Sequence, residues 1–355
     1  MRDFDVVIVG AGVAGCAAAI ELRSAGRQVG FLYKHDDVTR VESLSPGAVH
    51  GLHKLSVDMG QSIFEVVAWW GSDHANRARY RNARVVDRRI LAEGLRARAV
   101  EEGATELKIE GHLRIERRGE RWCLACDGPE SGQHRFTTAY LVDATGRASV
   151  VGRRLSAKRM MMDQLFSLAV EVMEPMVIGT WTESSPEGWW NLSSLEKKGT
   201  LSFYSSATVV REAKAGIALL FDKTEHLRNL ISTRQFLNPT VRPCGSSFLV
   251  PCAGPGWFAV GDAAWTVQPL ASAGIAKGIR DALVVRELLE RESLLEQVSS
   301  RYDRFQMAQF DAYLRQLKQH YSIEKRWPTC PFWRSPKGNP SNDGRADLPS
   351  ANLAI

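Results

Sequence analysis

Gly10, Gly12 and Gly15 stand near the start of the chain at the spacing G-x-G-x-x-G. The apolar run 6–9 precedes them, an alanine-rich stretch from Ala17 to Leu22 follows, and Gly26 supplies a stop. A buried strand, a glycine turn and a helix in that order suit a dinucleotide pyrophosphate. The first glycine permits the tight turn, the second lets the backbone approach the phosphates, and the third lets helix and strand pack closely. The helix N-terminus then offers free N–H groups and the positive end of its dipole. The next apolar stretch, VGFLY, ends where such folds place an acid for the adenosine ribose. Tyr33 and Lys34 stand there instead, with Asp36 and Asp37 a short turn later as substitutes. The adenosine grip is therefore expected to be weaker or differently organised, and Tyr33→Glu to tighten it.

A second constellation lies far along the chain, in WFAVGDAAWTVQPLASAGIAKGIRDALVV (257–285). A short buried strand ends at Gly261 and Asp262, whose carboxylate can accept hydrogen bonds from a ribityl chain. After Pro269 the small residues 271–274 lead into a long helix through Gly274 and Ile275. Free N–H groups and the helix dipole at that start can stabilise negative charge at the N1/C2 edge of a flavin. A nicotinamide enzyme needs no such second element. A flavin extends far beyond the pyrophosphate, so the two constellations together point to FAD.

Taken together, the N-terminal G-x-G-x-x-G and the C-terminal GDAA…P…G resemble the FAD-dependent hydroxylases of the p-hydroxybenzoate hydroxylase type and the flavin halogenases. VVDRRILAEGLRARAVEEGA (85–104) resembles their arginine-led helix, which places Arg88 toward the cofactor. YLVDATGRASVVGRRL (140–155) resembles their strand returning to the FAD domain. RVESLSPGAVHGL (40–52) resembles the strap over the flavin, so Arg40, Glu42 and Ser43 are expected at the cofactor. The implied fold is α/β. A Rossmann-like FAD-binding domain is assembled from 1–60, 80–155 and 250–325, and an inserted antiparallel-sheet substrate domain from 61–79 and 156–249.

In that superfamily the reduced flavin meets dioxygen and forms a C4a-hydroperoxide, and the protein shields it and presents an electron-rich substrate. The resemblance therefore implies hydroxylation of a phenol or indole, free or on a partner protein. Electrons would come from NAD(P)H or from a separate reductase; no D-G signature is recognisable at 151–165, which favours the latter. Halogenation is the nearest rival, but halogenases carry a lysine on the strand after the strap. Here SIFEVVAWWGS has Trp69 near that place, no lysine occurs between Lys54 and Lys108, and the W-x-W-x-I-P signature is absent. The same fold also serves reductases of the polyprenyl type, and a non-catalytic flavoprotein assembly partner would need the same cofactor motifs. GRASVVGRRL, EGWW and EKRWPTCPFWR also resemble the flavoproteins that hydroxylate a tryptophan in quinone-cofactor enzymes. The chain departs from those at Gln268 and Ala273.

Strand-like runs LFSLAVEVM, MVIGTWTES, GWWNLSSL, GTLSFYSS and GIALLFD fill the insertion, with turns at 186–188 and 197–199. Residues 223–237 read as a helix, as do 274–292 and 294–322. Trp69, Trp181 and Trp190 are expected to line a flat apolar pocket, with Trp70 and Trp189 beside them, although a strand tryptophan is more often core. His50, or Glu42, is the candidate proton acceptor; His50 and His53 lie on one helix face and equally suit ordinary surface positions.

Composition sets the outer limits. With 44% apolar and 24% charged residues the chain reads as an ordinary globular protein. Its net charge of +6 is spread along helices, with no basic block interleaved with aromatics, so no nucleic-acid partner is expected. No run approaches a membrane span. Six scattered cysteines make no disulfide framework. Cys123 and Cys126 lie on a strand with side chains to opposite faces, so buried thiols and a reducing, cytoplasmic compartment are expected. The tail from 335 to 355, rich in Pro, Ser, Asn and Gly, is expected to be disordered.

Overall fold

The computed structural model describes residues 2–34, 40–128, 132–232, 236–291 and 295–334. The chain opens with β1 (Arg2–Val9), α1 (Val13–Ser24), β2 (Val29–Tyr33), β3 (Val41–Leu44), α2 (Pro46–Lys54), β4 (Gln61–Trp69) and β5 (Asn76–Asp87). It continues with α3 (Arg88–Glu101), β6 (Thr105–Lys108), β7 (Glu110–Arg118), β8 (Arg121–Asp127), β9 (Gln133–Asp143), α4 (Val150–Arg154) and β10 (Lys158–Met161). The insertion supplies β11 (Phe166–Met173), β12 (Gly179–Ser185), β13 (Gly188–Ser194), β14 (Lys198–Ser205), α5 (Ala207–Ala215), α6 (Ile217–Phe221) and β15 (Leu237–Pro243). Last come β16 (Ser247–Val250), β17 (Ala253–Gly254), β18 (Trp257–Ala259), β19 (Trp265–Thr266), α7 (Gly274–Arg291), α8 (Leu295–Ile323) and α9 (Pro331–Arg334).

β1 lies between β2 and β9, parallel to both. Val6, Val7 and Ile8 are fully buried in this central strand, which is why the sequence here is continuously apolar. β6 extends the parallel sheet past β2, and β18 joins it beside β9. α1 packs against α3 and α7. β8 runs from Arg121 to Asp127 with Cys126 buried and Cys123 half-buried, the opposite-face arrangement its alternation implies.

The second sheet has the order β15-β11-β14-β13-β12-β4-β5-β3. It is antiparallel except where β12 meets β4, which is parallel. Its membership differs from the expected division: β3 comes from within 1–60, and β5 crosses residue 80. The strap is therefore anchored to the roof sheet itself.

Two local expectations are corrected. GIALLFD is helical at Ile217–Phe221, not a strand. The expected helix over 223–237 is only a short 3-10 turn at Leu227–Asn229, followed by β15. The buried Glu183 carboxylate holds the start of the turn. It accepts the N–H groups of Glu225 (2.6 Å), His226 (3.2 Å) and Leu227 (2.8 Å). Leu227 and Ile231 are nonetheless buried, and Leu230 and Phe236 are half-buried against the same core. The tail at 335–355 lies outside the described residues.

Candidate functional site

The first signature is fixed by close approach. Gly10 has φ +110°, and a Cβ there would sit 2.4 Å from the Ala144 carbonyl oxygen. A Cβ on Gly15 would sit 1.9 Å from the Gly10 carbonyl oxygen. Gly12 is different: nothing lies within 4 Å of its Cβ position, and it opens α1 with no side-chain cap. Two glycines are thus required by the fold, and the third leaves room and free donors for an anion. The neighbouring D-A-T-G loop is held by buried Asp143, which accepts from Thr145 N (3.0 Å), Thr145 Oγ1 (2.6 Å) and Gly152 N (2.8 Å). Burial pushes the Asp143 carboxyl up against these bonds.

A cleft of about 720 Å³ opens in front of this loop. Tyr33, Lys34, Arg40 and Arg88 line it with Gly10 and Gly12. At one end of the cleft the Arg96 guanidinium lies 4.9 Å over the Tyr33 ring. Lys34 Nζ donates to the Gly111 carbonyl (2.8 Å). Asp36 and Asp37 lie outside the described residues.

The second signature touches the first. Gly261, with φ +58°, and Gly278 each face Ala14 in the first turn of α1; their Cβ atoms would sit 2.7 and 3.0 Å from the Ala14 Cβ. A buried clamp sets the Gly261 peptide. Lys277 Nζ donates to Gly261 O (2.8 Å) and to Asp281 Oδ2 (2.6 Å), while Gly261 N donates to the same Asp281 oxygen (2.9 Å). Burial lowers the Lys277 pKa, and Asp281 opposes that. Arg159 binds the carbonyls of Asp262 (3.0 Å) and Ala263 (2.6 Å), and burial pulls its pKa down to about 10. Asp262 leaves the turn partly exposed, its carboxylate 3.9 Å from Arg147. Pro269 opens a 3-10 turn, Ser272 takes φ +44°, Gly274 starts α7, and Ile275 is buried behind it.

The strap meets this turn through Ser43 Oγ and Ser272 Oγ, 3.4 Å apart. Glu42 is paired with Arg40 and with Arg88 (3.2 Å). Burial alone would raise its pKa, but the two guanidiniums hold it below the usual carboxylate range. Glu42 thus joins Arg40 and Arg88 within the strap as an ion-paired carboxylate. His50 and His53 are both exposed on α2, whose Gly51 faces Ile279 of α7. His50 is not among the residues lining the cleft.

The roof reverses the tryptophan expectation. Trp189 pairs across strands with Ser184 and Tyr204, Asn191 with Thr182 and Ser202, and Ser193 with Thr180 and Thr200. These three rows share one face. It looks toward the strap, since Val41 N donates to Thr200 Oγ1 (2.8 Å) and the Tyr204 phenol lies within electrostatic reach of Arg40 and Glu42. Val66 and Ala68 of β4 share this face through their pairing with Thr180 and Thr182. Trp69, Trp181 and Trp190 point the other way, into a separate core beneath α5 and α6. The period of two along a strand puts Trp70 and Trp189, not Trp69 and Trp190, on the strap side. Burial raises the Tyr204 phenol above its ordinary value.

Residues 72–348 match the family model described as tryptophan halogenase. The chain belongs to the tryptophan halogenase family. As a family member it is an FAD-dependent oxidoreductase of α/β fold. It is 24% identical to a putative FAD-dependent oxidoreductase, LodB, of Marinomonas mediterranea, across 94% of this chain and 97% of that one. In fold it is similar to the myxobacterial chondrochloren halogenase CndH, with TM-score 0.83 and 18% identity over 94% of this chain and 86% of that one. It is also similar to QhpG, a peptidyl tryptophan dihydroxylase essential for tryptophylquinone cofactor biogenesis. That match has TM-score 0.77 and 22% identity, covering 94% of this chain and 78% of that one. For this family member the open space before Gly12, the uncapped α1 N-terminus and the adjoining cleft fit FAD. No helix among the described residues is long and apolar enough to cross a membrane.

The Tyr204 roof, the Lys277–Asp281 clamp, Arg159 and Arg147 were not singled out from the sequence. The clamp had a readable signal: a lysine and an aspartate at i, i+4 in the first turns of the helix.

Proposed function

We propose that this protein is a monooxygenase that hydroxylates an electron-rich aromatic group, a phenol or an indole, either free or on a partner protein. FAD, when bound, supplies the activation of dioxygen. Gly12 and the α1 N-terminus hold the pyrophosphate, Asp262 the ribityl chain, and the turn from Ser272 to Gly274 the ring edge. Tyr33, Lys34 and Arg96 take the adenosine end in place of a carboxylate. The Arg40–Glu42–Arg88 group keeps the strap closed over the cofactor, which excludes water from the site.

The observation that carries the reading is the strap-facing side of the roof. It offers the stacked Trp189–Tyr204 pair, with ring centroids 3.8 Å apart, and rows of hydroxyl and amide groups. Where a halogenase-type lysine would project from β4, this face has Val66 and Ala68. Asn191 and Thr182, the half-buried polar groups of this face, can orient an aromatic substrate beside the buried pair. Likeness to the peptidyl tryptophan dihydroxylase favours a protein-borne indole among the substrates allowed. A separate reductase supplies the electrons.

The test feeds the FAD-loaded protein from a flavin reductase with NADH under isotopically labelled dioxygen, with chloride and bromide present. Indole, phenol and a tryptophan-containing peptide serve as probes. Label is expected in a hydroxylated product. A halogenated product, or alkene reduction with no oxygen incorporated, overturns the assignment.

A further inference from the structure

The rings around Trp189 continue outward. Trp189 stacks on Tyr204 at 3.8 Å and meets Trp70 edge-on at 6.3 Å, and its Nε1 donates to the Tyr321 hydroxyl (3.1 Å). Trp70 and Tyr321 are 5.8 Å apart, and both reach Trp333, at 5.5 and 6.0 Å. The series begins at a roof position over the strap, fully buried, and ends at half-buried Trp333 on the C-terminal segment.

Every ring in it is a tryptophan or a tyrosine, the aromatic side chains that give up one electron readily. The opposite face of the same sheet supplies an internal comparison. There Trp190 contacts Phe203 at 4.6 Å and Phe221 at 5.5 Å, and Phe221 contacts Phe236 at 5.5 Å. His320 and Phe332 touch Trp70 and Trp333 from the side, each at 5.1 Å, but the path from Tyr204 to Trp333 itself passes through tryptophan and tyrosine alone, while the one from Trp190 runs into phenylalanine.

We infer that the series Tyr204–Trp189–Trp70/Tyr321–Trp333 carries oxidising equivalents from the flavin site to the protein surface. This rests on FAD occupying the cleft as described above. When the reduced cofactor passes one electron to dioxygen without substrate, superoxide arises in the site. Superoxide takes one electron from Trp189 and two protons from solvent, leaving hydrogen peroxide and a one-electron-oxidised Trp189. Trp70 or Tyr321 refills Trp189, and Trp333 refills them in turn. The deficit ends on Trp333, where a surface reductant such as a thiol returns the electron.

The indoles need not lose protons. Trp189, Trp70 and Trp333 donate their N–H groups to oxygen acceptors: the Tyr321 hydroxyl, the His320 carbonyl (3.0 Å) and the Ser185 carbonyl (2.8 Å). Each acceptor favours a transient positive charge on its ring. Trp327 lies beyond, 5.9 Å from Trp333, but the Arg326 guanidinium sits 4.3 Å over it.

The experiment is flash photolysis of the FAD-loaded protein. Blue light makes bound oxidised flavin a one-electron oxidant without substrate or turnover. The visible spectrum first establishes that FAD is bound; failure at that step contradicts the cofactor placement rather than the path. With FAD bound, the expected result is a long-lived tryptophan radical, located on Trp333 by electron paramagnetic resonance. It is lost in Trp333→Phe and in Trp189→Phe, and retained in Trp190→Phe. Trp333→Phe alters only a half-buried site, so it keeps the test available should Trp189→Phe fold poorly. Bound FAD with no long-lived radical, or a radical whose lifetime ignores Trp189 and Trp333, overturns the proposal.

Discussion

At the scale of single residues, the three N-terminal glycines separate into two kinds, and substitution distinguishes them. Gly15→Ala puts a methyl 1.9 Å from a carbonyl oxygen, so the fold itself must shift and stability falls by several kcal/mol or folding fails. Gly12→Ala meets nothing within 4 Å, and replacing Gly by Ala at an N-cap costs about 1 kcal/mol or less. Its methyl occupies the space the pyrophosphate needs. The expected outcome is a near-normal melting temperature with FAD binding lost, read by calorimetry and flavin absorbance side by side. Such backbone requirements were legible in the sequence, because glycine spacing reports what the chain must do locally. Which tryptophan faces the site was not. The pairs Trp69–Trp70 and Trp189–Trp190 put one indole on each face of a strand in any register, so the pattern reads the same either way. Only the packing of Phe203 and Phe221 beneath Trp190, and of Tyr204 upon Trp189, decides it.

At the scale of elements, two ionic devices hold the functional segments in place. The Lys277–Asp281 pair binds both polar groups of the Gly261 peptide inside the protein. Lys277→Met leaves the buried Asp281 carboxylate with Arg280 (3.6 Å) as its remaining counter-charge, so a loss of up to about 3–5 kcal/mol is expected, with FAD affinity weakened as the turn before Asp262 loosens. Denaturant unfolding and FAD titration check the two effects. The second device fastens the C-terminal segment. Glu324 accepts from Gly71 N (2.7 Å), Ser184 Oγ (2.6 Å) and Arg326 (2.8 Å). Burial would raise its pKa, yet these partners hold it at about 2 against an ordinary value of 4.5. Because the folded value is depressed, the stabilisation is full above pH 4.5 and is lost as pH falls toward 2. Fluorescence of the Trp70–Trp333 cluster should report release of the segment in that window, and Glu324→Gln should flatten the acid dependence. The expected helix over 223–237 shows the limit of reading elements from periodicity. Leu227 and Ile231 do point inward, but the chain leaves the turn at Asn229 and returns as β15 to pair with β11, a partner that lies far away in sequence and leaves no mark on the local period.

At the scale of the whole molecule, a Rossmann-like layer and a roof sheet meet along the strap, and residues from opposite ends of the chain converge there. That convergence was anticipated from Gly10–Gly15 and from Gly261–Gly274, since each signature needs the other to hold one long ligand. The anchoring of the strap in the roof sheet through β3 was not, because four residues carry too short an alternation to assign a partner. Breaking that anchorage should affect the cofactor more than the fold: Glu42→Gln removes the charge joining Arg40 to Arg88 and is expected to weaken FAD binding while changing the melting temperature little, as ligand-free and FAD-loaded melts would show. The position of the cofactor ring bears most directly on all of this. A crystal structure of the FAD complex should place the pyrophosphate at the α1 N-terminus and the ring between the Ser43–Ser272 contact and the Tyr204–Trp189 face. A ring found against Trp69 and Trp190, or a pyrophosphate away from Gly12, would contradict it.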